Sequence, residues 1–197
     1  MKNHIDPMEV PEMASIAIVG DGPGGLSAAL FLAKNGHEAV VYGDDKTAMH
    51  FALLKNYLGV PEVPGSEFQD TALAQVEEAG AQIRRARVSR ITPGDIGYSI
   101  EADDGSTMDA EYLILSEGRT APLAEALGLA TDPDGGIAVD AEFRSSLPRL
   151  YVLGRSTRPK RSQAIISAGA GATAALDILA DLAGEDVQDW DSPPKEG

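Results

Sequence analysis

The sequence predicts an α/β domain in which a doubly wound parallel sheet carries an antiparallel β-meander. A strand, a helix and a second strand follow one another between residues 15 and 42, the order of a right-handed parallel unit. Short segments between residues 82 and 110 are separated by turn sequences, as in a meander. An apolar strand at 150–153 then precedes a long apolar helix, so the α/β pattern returns near the end.

The first half of the chain alternates strands with helices. Residues 15–19 are a β-branched run typical of a buried parallel strand, and 39–42 form a second one. Apolar residues at helical spacing over 26–34 predict a helix that Asn35-Gly36 stops. Ser66-Glu67-Phe68-Gln69 has the pattern of a capping box, so a further helix is expected to begin there and to end at Gly80.

The second half is expected to hold the meander and to complete the sheet. The meander segments are 82–86, 88–92, 98–102 and 107–110. Residues 111–115 form another buried strand, and 121–129 a short helix. The last helix is predicted from 162 to about 183, and its small residues, among them Gly169 and Gly171, allow a neighbour or a ligand close to the backbone.

Composition and charge exclude several classes of protein. Of 197 residues, 43% are hydrophobic and 24% are charged, as in an ordinary globular domain. The sequence has no cysteine, which excludes disulfides, thiolate metal sites and thiol redox centres, and we predict no metal site. A net charge of −15 repels nucleic acid and anionic lipid. This acidity fits either a halophilic protein in a salt-rich cytosol or an ordinary acidic one, and unfolding in low salt would favour the first.

Three segments are predicted: an extension or leader at 1–13, one domain at 14–184, and an acidic tail at 185–197. The first segment lacks the apolar centre of a signal peptide. No apolar run is expected to reach the roughly 18 residues that a membrane span needs. We therefore expect a cytoplasmic protein that does not bind membranes.

A glycine-rich turn, Gly20-Asp21-Gly22-Pro23-Gly24-Gly25, lies between the first strand and the first helix. Gly20 permits the tight turn, Gly22 lets a pyrophosphate approach the backbone, and Gly25 lets the helix pack on the strand. The helix N-terminus offers N–H groups to the phosphates. The pattern predicts a Rossmann-like, FAD/NAD(P)-binding domain; the alternative is a structural glycine turn.

The end of the second strand departs from the dinucleotide-binding pattern. An acid that binds the ribose hydroxyls is expected there, but Gly43 occupies the position and Asp44 follows it. Asp44 could reach the ribose after a small backbone shift. Alternatively, Asp44 and Asp45 cap a helix that begins near Lys46.

Two groups of basic residues stand out in so acidic a chain. One precedes the last helix and is a candidate anion site, with a solvated basic loop as the alternative: Arg155, Arg158, Lys160 and Arg161. The other lies on the meander segments and is interpreted mainly as surface: Arg84, Arg85, Arg87 and Arg90.

The order of motifs resembles the FAD domain of the low-molecular-weight thioredoxin reductases. The motifs are IVGDGPGGLSAA at 18–29, KNYLGVP at 55–61, GSEF at 65–68, SLPRLYVLG at 146–154 and SQAIISAGAG at 162–171. The resemblance covers about residues 15–183. The inserted NADPH domain of that family, with its Cys-x-x-Cys pair, is missing between residues 118 and 135. Arg149 replaces the glycine that the family has in its closing strand motif.

The resemblance implies FAD as the cofactor. The glycine-rich turn would hold the pyrophosphate, Asn56 would face the isoalloxazine, and backbone near Val88 would meet the adenine. Arg155 stands where the family has an aspartate on the ribityl chain, and could pair with the pyrophosphate instead. The full candidate set is Gly20, Gly22, Pro23, Gly24, Gly25, Asp44, Asn56, Val88, Gly118, Gly154, Arg155, Arg161, Ser162, Gln163 and Ala164.

The sequence therefore predicts an FAD-dependent oxidoreductase, homodimeric if it follows the family. Electrons would come from a redox protein such as a ferredoxin, from freely diffusing reduced nicotinamide or deazaflavin, or from a substrate. A non-catalytic flavin- or nucleotide-binding module is the alternative, and a pocket for NAD(P) alone is a third possibility. No catalytic residue is assigned. His50 falls near the flavin in the family, although a structural role is the commoner one for a single histidine.

Overall fold

The structure, a computed structural model, describes residues 13–193; residues 1–12 of the predicted leader and the last four of the tail lie outside them. The elements are β1 (Ser15–Val19), α1 (Pro23–Lys34), β2 (Glu38–Tyr42), β3 (Leu53–Leu54), β4 (Val63–Pro64), α2 (Gly65–Glu78), β5 (Gln82–Arg84), β6 (Val88–Pro93), β7 (Tyr98–Ala102), β8 (Thr107–Ala110), β9 (Tyr112–Leu115), α3 (Pro122–Ala126), β10 (Leu150–Val152) and α4 (Ala164–Ala183). Single 3₁₀ turns lie at Ala48–Phe51 and Gly154–Ser156.

The central feature is a five-stranded parallel sheet in the order β10-β9-β1-β2-β5. Its strands are buried on both faces, which is why they are continuous apolar runs. Ile16 and Ile18 of β1 face a core that α1 and α4 complete, while Ala17 faces a second core shared with the meander. The predicted fold class is confirmed.

Helices α1 and α4 pack closely on one face of the sheet. A Cβ at Gly171 would overlap the carbonyl oxygen of Gly24, so the small residues of α4 bring the two helix backbones together. By length and composition α4 could cross a membrane, contrary to the expectation of no such run. Half of its most apolar window is buried inside the fold, however, as in the core helix of a globular domain.

The meander covers the other face of the sheet, as β6-β7-β8 in antiparallel order. The predicted segment 82–86 does not belong to it. Its residues 82–84 form β5, which pairs parallel to β2 through Val41 and Ile83. The physical reason is the preceding helix, because a strand that follows a strand and a helix returns parallel to the first strand.

The predicted capping box at Ser66 is also wrong. Helix α2 begins one residue earlier, at Gly65, and no side chain caps it. Gly65 lacks a Cβ, which would overlap the carbonyl oxygen of Met49, so the helix can start in this tight position. Gln69 is buried and donates from Nε2 to the carbonyl oxygen of Asp21 at 2.5 Å, instead of reaching back to the helix start.

Two further segments near the sheet have specific contacts. Arg149, in place of the family's glycine, has φ +55°, a backbone region that favours glycine. Its guanidinium carbon lies 5.1 Å from the centre of the Tyr112 ring, a cation–π contact that offsets part of this strain.

The described part of the acidic tail contacts the end of α1, where Lys34 Nζ lies 3.1 Å from Asp189 and 2.5 Å from Asp191.

Candidate functional site

An open cleft of about 920 Å³ lies beyond the carboxyl ends of the parallel strands. It is lined by the residues that directly follow β1, β2 and β9, and by Gly154, two residues beyond the end of β10: Gly20, Gly43, Ser116 and Gly154. From β1 the chain continues to β2 on one side, whereas β9 and β10 lie on the other side of β1. In open α/β sheets ligands bind at such a point, where the strand order changes direction. The volume lies near the upper end of the range of about 300–1,000 Å³ for small-molecule pockets.

The glycine-rich turn forms one wall of the cleft. Two of its glycines lie at positions where a side chain would overlap neighbouring backbone. Gly20 has φ +109°, and a Cβ on it would overlap the carbonyl oxygen of Ser116. A Cβ on Gly25 would overlap the carbonyl oxygen of Gly20. Gly22 precedes the first helical residue, Pro23, so the N–H groups of Gly24 and Gly25 have no partner within the helix. These groups form the kind of helix N-terminus that binds phosphate.

Most of the candidate binding residues line this one cleft. The exceptions are Gly25, which packs α1 on β1, and Arg161, which is exposed. Of the basic group before α4, Arg155 lines the cleft, whereas Lys160 Nζ lies 3.0 Å from Asp134. The four basic side chains therefore do not converge on one anion site; Arg155 alone of the four faces the cleft.

The opposite wall joins the segment around β3 to the start of α4. Asn56 Nδ2 donates a hydrogen bond of 3.2 Å to Gln163 Oε1, and both residues line the cleft. Phe51 and Leu53 also line it and are 94% and 53% exposed, so this end presents apolar surface to solvent.

The end of β2 holds several charged groups. Asp44 Oδ2 lies 2.7 Å from Lys46 Nζ, and this hydrogen bond lowers the pKa of Asp44. The alternative, in which Asp44 and Asp45 cap a helix that begins near Lys46, is wrong, because the segment forms a 3₁₀ turn at Ala48–Phe51 that is capped by Thr47, whose Oγ1 accepts from the N–H of Met49. Asp45 instead adopts φ +56°, and its carboxylate lies close to His50.

His50 is not among the residues that line the cleft. Its Nε2 lies 2.9 Å from Asp45 Oδ1, and this contact raises the pKa of His50. The contact favours the structural interpretation of this histidine over a role beside a flavin.

The sequence interpretation missed several residues of the cleft, among them Asp21, Arg87 and Glu117. Glu117 accepts hydrogen bonds from the N–H groups of Leu123 and Ala124, at 2.9 and 3.1 Å, and burial raises the pKa of its carboxyl. Arg87 is exposed, as its interpretation as a surface residue predicts, but it also lines the cleft, and its place directly before Val88 was a signal. For Asp21 the signal was an acid within the glycine-rich turn, together with the absence of one at residue 43.

The sheet order, the glycine-rich turn and the cleft define a Rossmann-like protein of the FAD/NAD(P)-binding fold class. A family model described as pyridine nucleotide-disulphide oxidoreductase matches residues 55–172. The match covers more than half of the chain, which therefore belongs to the pyridine nucleotide-disulphide oxidoreductase family.

Two curated thioredoxin reductases are similar in sequence, which confirms the resemblance seen in the motifs. The protein of Spironucleus barkhanus is 28% identical over 117 residues, or 57% of this chain and 38% of that protein. The protein of Helicobacter pylori (strain J99) is 31% identical over 113 residues, or 54% of this chain and 36% of that protein. The chain thus spans well under half the length of these relatives.

Solved structures show the same fold. A thioredoxin reductase from Gloeobacter violaceus superposes with a TM-score of 0.83 at 17% identity, over 90% of this chain and 99% of that one. A ferredoxin-flavin thioredoxin reductase from Clostridium acetobutylicum has a TM-score of 0.73 at 16% identity, over 88% and 98% of the two chains. At these identities the likeness is one of fold.

Proposed function

We propose that this chain is an FAD-dependent oxidoreductase with its cofactor in the cleft. One observation carries the proposal: a single cleft runs from the glycine-rich turn to the Asn56–Gln163 contact and the start of α4. Its residues fit FAD, because a phosphate cradle without Cβ atoms lies at one end and an apolar, solvent-accessible surface at the other. Bound FAD supplies hydride and single-electron transfer that protein side chains cannot provide.

The proposed roles follow the position of each residue in the cleft. The backbone of Gly20 to Gly24 binds the pyrophosphate, and Arg155 adds a positive charge beside it. Backbone near Val88 meets the adenine, and Asp44 is a candidate for the ribose. The flavin end is assigned to Asn56, Gly118, Gly154, Ser162, Gln163 and Ala164; Arg161, which lies outside the cleft, keeps at most an electrostatic role.

Electrons must reach this cofactor from outside the 197 residues. They contain no cysteine, and no inserted domain lies between residues 118 and 135. The exposed Phe51 and Leu53 leave the flavin end open to a small reductant or a redox protein. The related proteins are named thioredoxin reductases, so thioredoxin is one acceptor to try and ferredoxin one donor.

Anaerobic reduction of the FAD-loaded protein tests this function. NADH, NADPH and reduced ferredoxin are mixed with it in turn, and the flavin absorbance is followed before and after an acceptor is added. Rapid bleaching by one donor and recovery with an acceptor support the oxidoreductase. Tight FAD binding without reduction by any of the donors favours a non-catalytic flavin-binding module.

The alternative module has one structural observation in its favour. Glu117, a partly buried carboxyl in the cleft, accepts a backbone N–H on each of its oxygens, and these contacts hold the start of α3, which is a structural role. If FAD fails to bind but NAD(P) binds, the cleft belongs to the third class, a nicotinamide nucleotide pocket.

We also propose a cytoplasmic homodimer, which is tolerant of high salt if the acidity reflects a halophilic setting. The net charge of −15 supports the salt dependence, because counterions screen the repulsion among surface carboxylates. Sedimentation at low and high salt measures both properties. Monomers at high salt contradict the dimer, and a stable fold in low salt contradicts the halophilic setting.

A further inference from the structure

The carboxylate of Asp21 occupies the space that a side chain at residue 43 would fill. A Cβ built on Gly43 would overlap the Asp21 carboxyl group. Residue 43 directly follows β2, where a dinucleotide-binding fold ordinarily places the acid that binds the ribose hydroxyls. An acid is therefore present at this place, but the glycine-rich turn supplies it instead of β2.

Asp21 is fixed in this position from two sides. Its Oδ2 accepts a hydrogen bond of 2.8 Å from the N–H of Asp45. Its carbonyl oxygen accepts from Nε2 of the buried Gln69. The side chain is 7% exposed and lines the cleft. Such a fixed carboxylate is suited to orient a ligand.

Within residues 13–193 the surroundings of the Asp21 carboxylate compensate its burial incompletely. The nearest cation, Arg85, has its Nη1 4.0 Å from Oδ2, at the outer limit of an ion pair, and is itself half exposed. Oδ1 receives no hydrogen bond from another residue in this part of the chain. A buried carboxylate needs such partners, and two neighbouring hydroxyl groups would supply two O–H donors.

Asp44, the other candidate, is already paired. Its Oδ2 is 2.7 Å from Lys46 Nζ, and its side chain is 30% exposed, about four times as much as that of Asp21. A ligand hydroxyl would there compete with the lysine and with water. The geometry thus distinguishes the two carboxylates.

We propose that Asp21, from the glycine-rich turn, binds the adenosine ribose hydroxyls of the dinucleotide in place of an acid at the end of β2. This assignment rests on the proposed function, since it requires a dinucleotide in the cleft. It explains why residue 43 is glycine: the two positions share one space, which holds one carboxylate.

The first test needs no variant. ADP and 2′,3′-dideoxy-ADP are titrated by calorimetry into the wild-type protein after any bound flavin has been removed, with FAD in parallel. We expect the dideoxy analogue to bind more than about tenfold more weakly, because charge-assisted hydrogen bonds are lost. Equal binding of the two analogues overturns the ribose assignment while leaving FAD binding intact. No binding of FAD or ADP overturns the proposed function as well.

Variants then assign the residue. Asp21→Asn keeps the shape and the acceptor for Asp45 N–H, so we expect an intact fold, a loss of FAD affinity of about tenfold or more, and little preference left for ADP over its dideoxy analogue. Asp44→Asn tests the competing carboxylate, and Asp95→Asn, in the exposed β6–β7 turn, is the matched control. If Asp44→Asn loses the preference and Asp21→Asn keeps it, the role belongs to Asp44.

Exchange of the two positions provides a gain of function. Gly43→Glu alone is expected to lose FAD affinity and stability, because its Cβ overlaps Asp21. Combined with Asp21→Gly, the same substitution should recover FAD affinity to within about threefold of wild type, together with the preference for ADP over the dideoxy analogue. If both variants fold and the pair shows no such recovery, the shared-space explanation is wrong.

Discussion

The two ends of the cleft are built differently. At the glycine-rich end, the backbone of the turn between β1 and α1 packs directly against neighbouring backbone. A Cβ at Gly20 or Gly25 would overlap a carbonyl oxygen. The other end consists of two-residue strands, the 3₁₀ turns at Ala48–Phe51 and Gly154–Ser156, and exposed side chains such as Phe51. Most substitutions at the first end would disrupt backbone packing and so the fold. Substitutions of the exposed side chains at the second end would change the surface that a partner contacts and leave the fold intact. Under the proposed function, phosphate recognition therefore depends on the fold, and reaction specificity depends on the exposed surface.

The largest expected effect is the loss of stability in Gly25→Ala. The added Cβ meets the Gly20 carbonyl oxygen and the side chain of Ile18, so β1 and α1 must separate. We expect the free energy of unfolding to fall by about 1–3 kcal/mol, measured by urea denaturation. A loss below about 0.5 kcal/mol would show that the glycine-rich end is more plastic than described.

Gly22→Ala separates binding from folding within the same turn. Its Cβ would meet Thr47 Oγ1 at 3.4 Å, an ordinary contact, and its φ of −78° suits alanine. Stability should therefore stay within about 0.5 kcal/mol of wild type. The methyl group obstructs the approach of the pyrophosphate, so FAD affinity should fall at least about tenfold in a fluorescence titration. Unchanged affinity would place the phosphates elsewhere.

Arg155→Ala tests the positive charge that we propose lies beside the pyrophosphate. We expect FAD affinity to fall about fivefold to tenfold, because an exposed arginine contributes a partly screened charge-assisted hydrogen bond. The difference should shrink as salt rises. Arg158→Ala, an exposed neighbour that does not line the cleft, is the control. Equal effects of the two variants would indicate a general charge effect.

The smallest expected effect is on the pH dependence of stability without ligand. Burial raises the pKa of Asp21, so the folded chain holds this proton more tightly than the unfolded chain. The contribution of Asp21 to stability is therefore full below about pH 4 and declines as the pH rises through the folded pKa. Asp21→Asn should have a higher melting temperature than wild type at pH 7, and this advantage should disappear near pH 3. An advantage that is equal at both pH values contradicts this origin.

The sequence predicted the parallel strands and the cleft because both depend on local patterns. Apolar runs marked β1, β2, β9 and β10, and glycine spacing marked the turn. The start of α1 was placed three residues late, because Pro23 and two glycines conceal a helical turn that packing stabilises.

What the sequence left undetected depends on contacts between distant segments. Gln69 matched a capping box, yet its amide reaches a carbonyl 48 positions away. Asp21 and Gly43 share one space because β1 and β2 are neighbours, which spacing along the chain does not reveal. Arg155 shows the same limit, since its three basic neighbours in sequence point elsewhere.

The central claim is that the glycine-rich end of this cleft holds FAD. The most direct measurement is the visible absorption spectrum of the protein purified in high salt, with the released cofactor identified by mass, beside Gly22→Ala prepared in the same way. We predict an oxidised flavin spectrum and the mass of FAD for wild type, and a markedly lower flavin content for the variant. A colourless wild-type protein that also fails to bind added FAD would contradict the account.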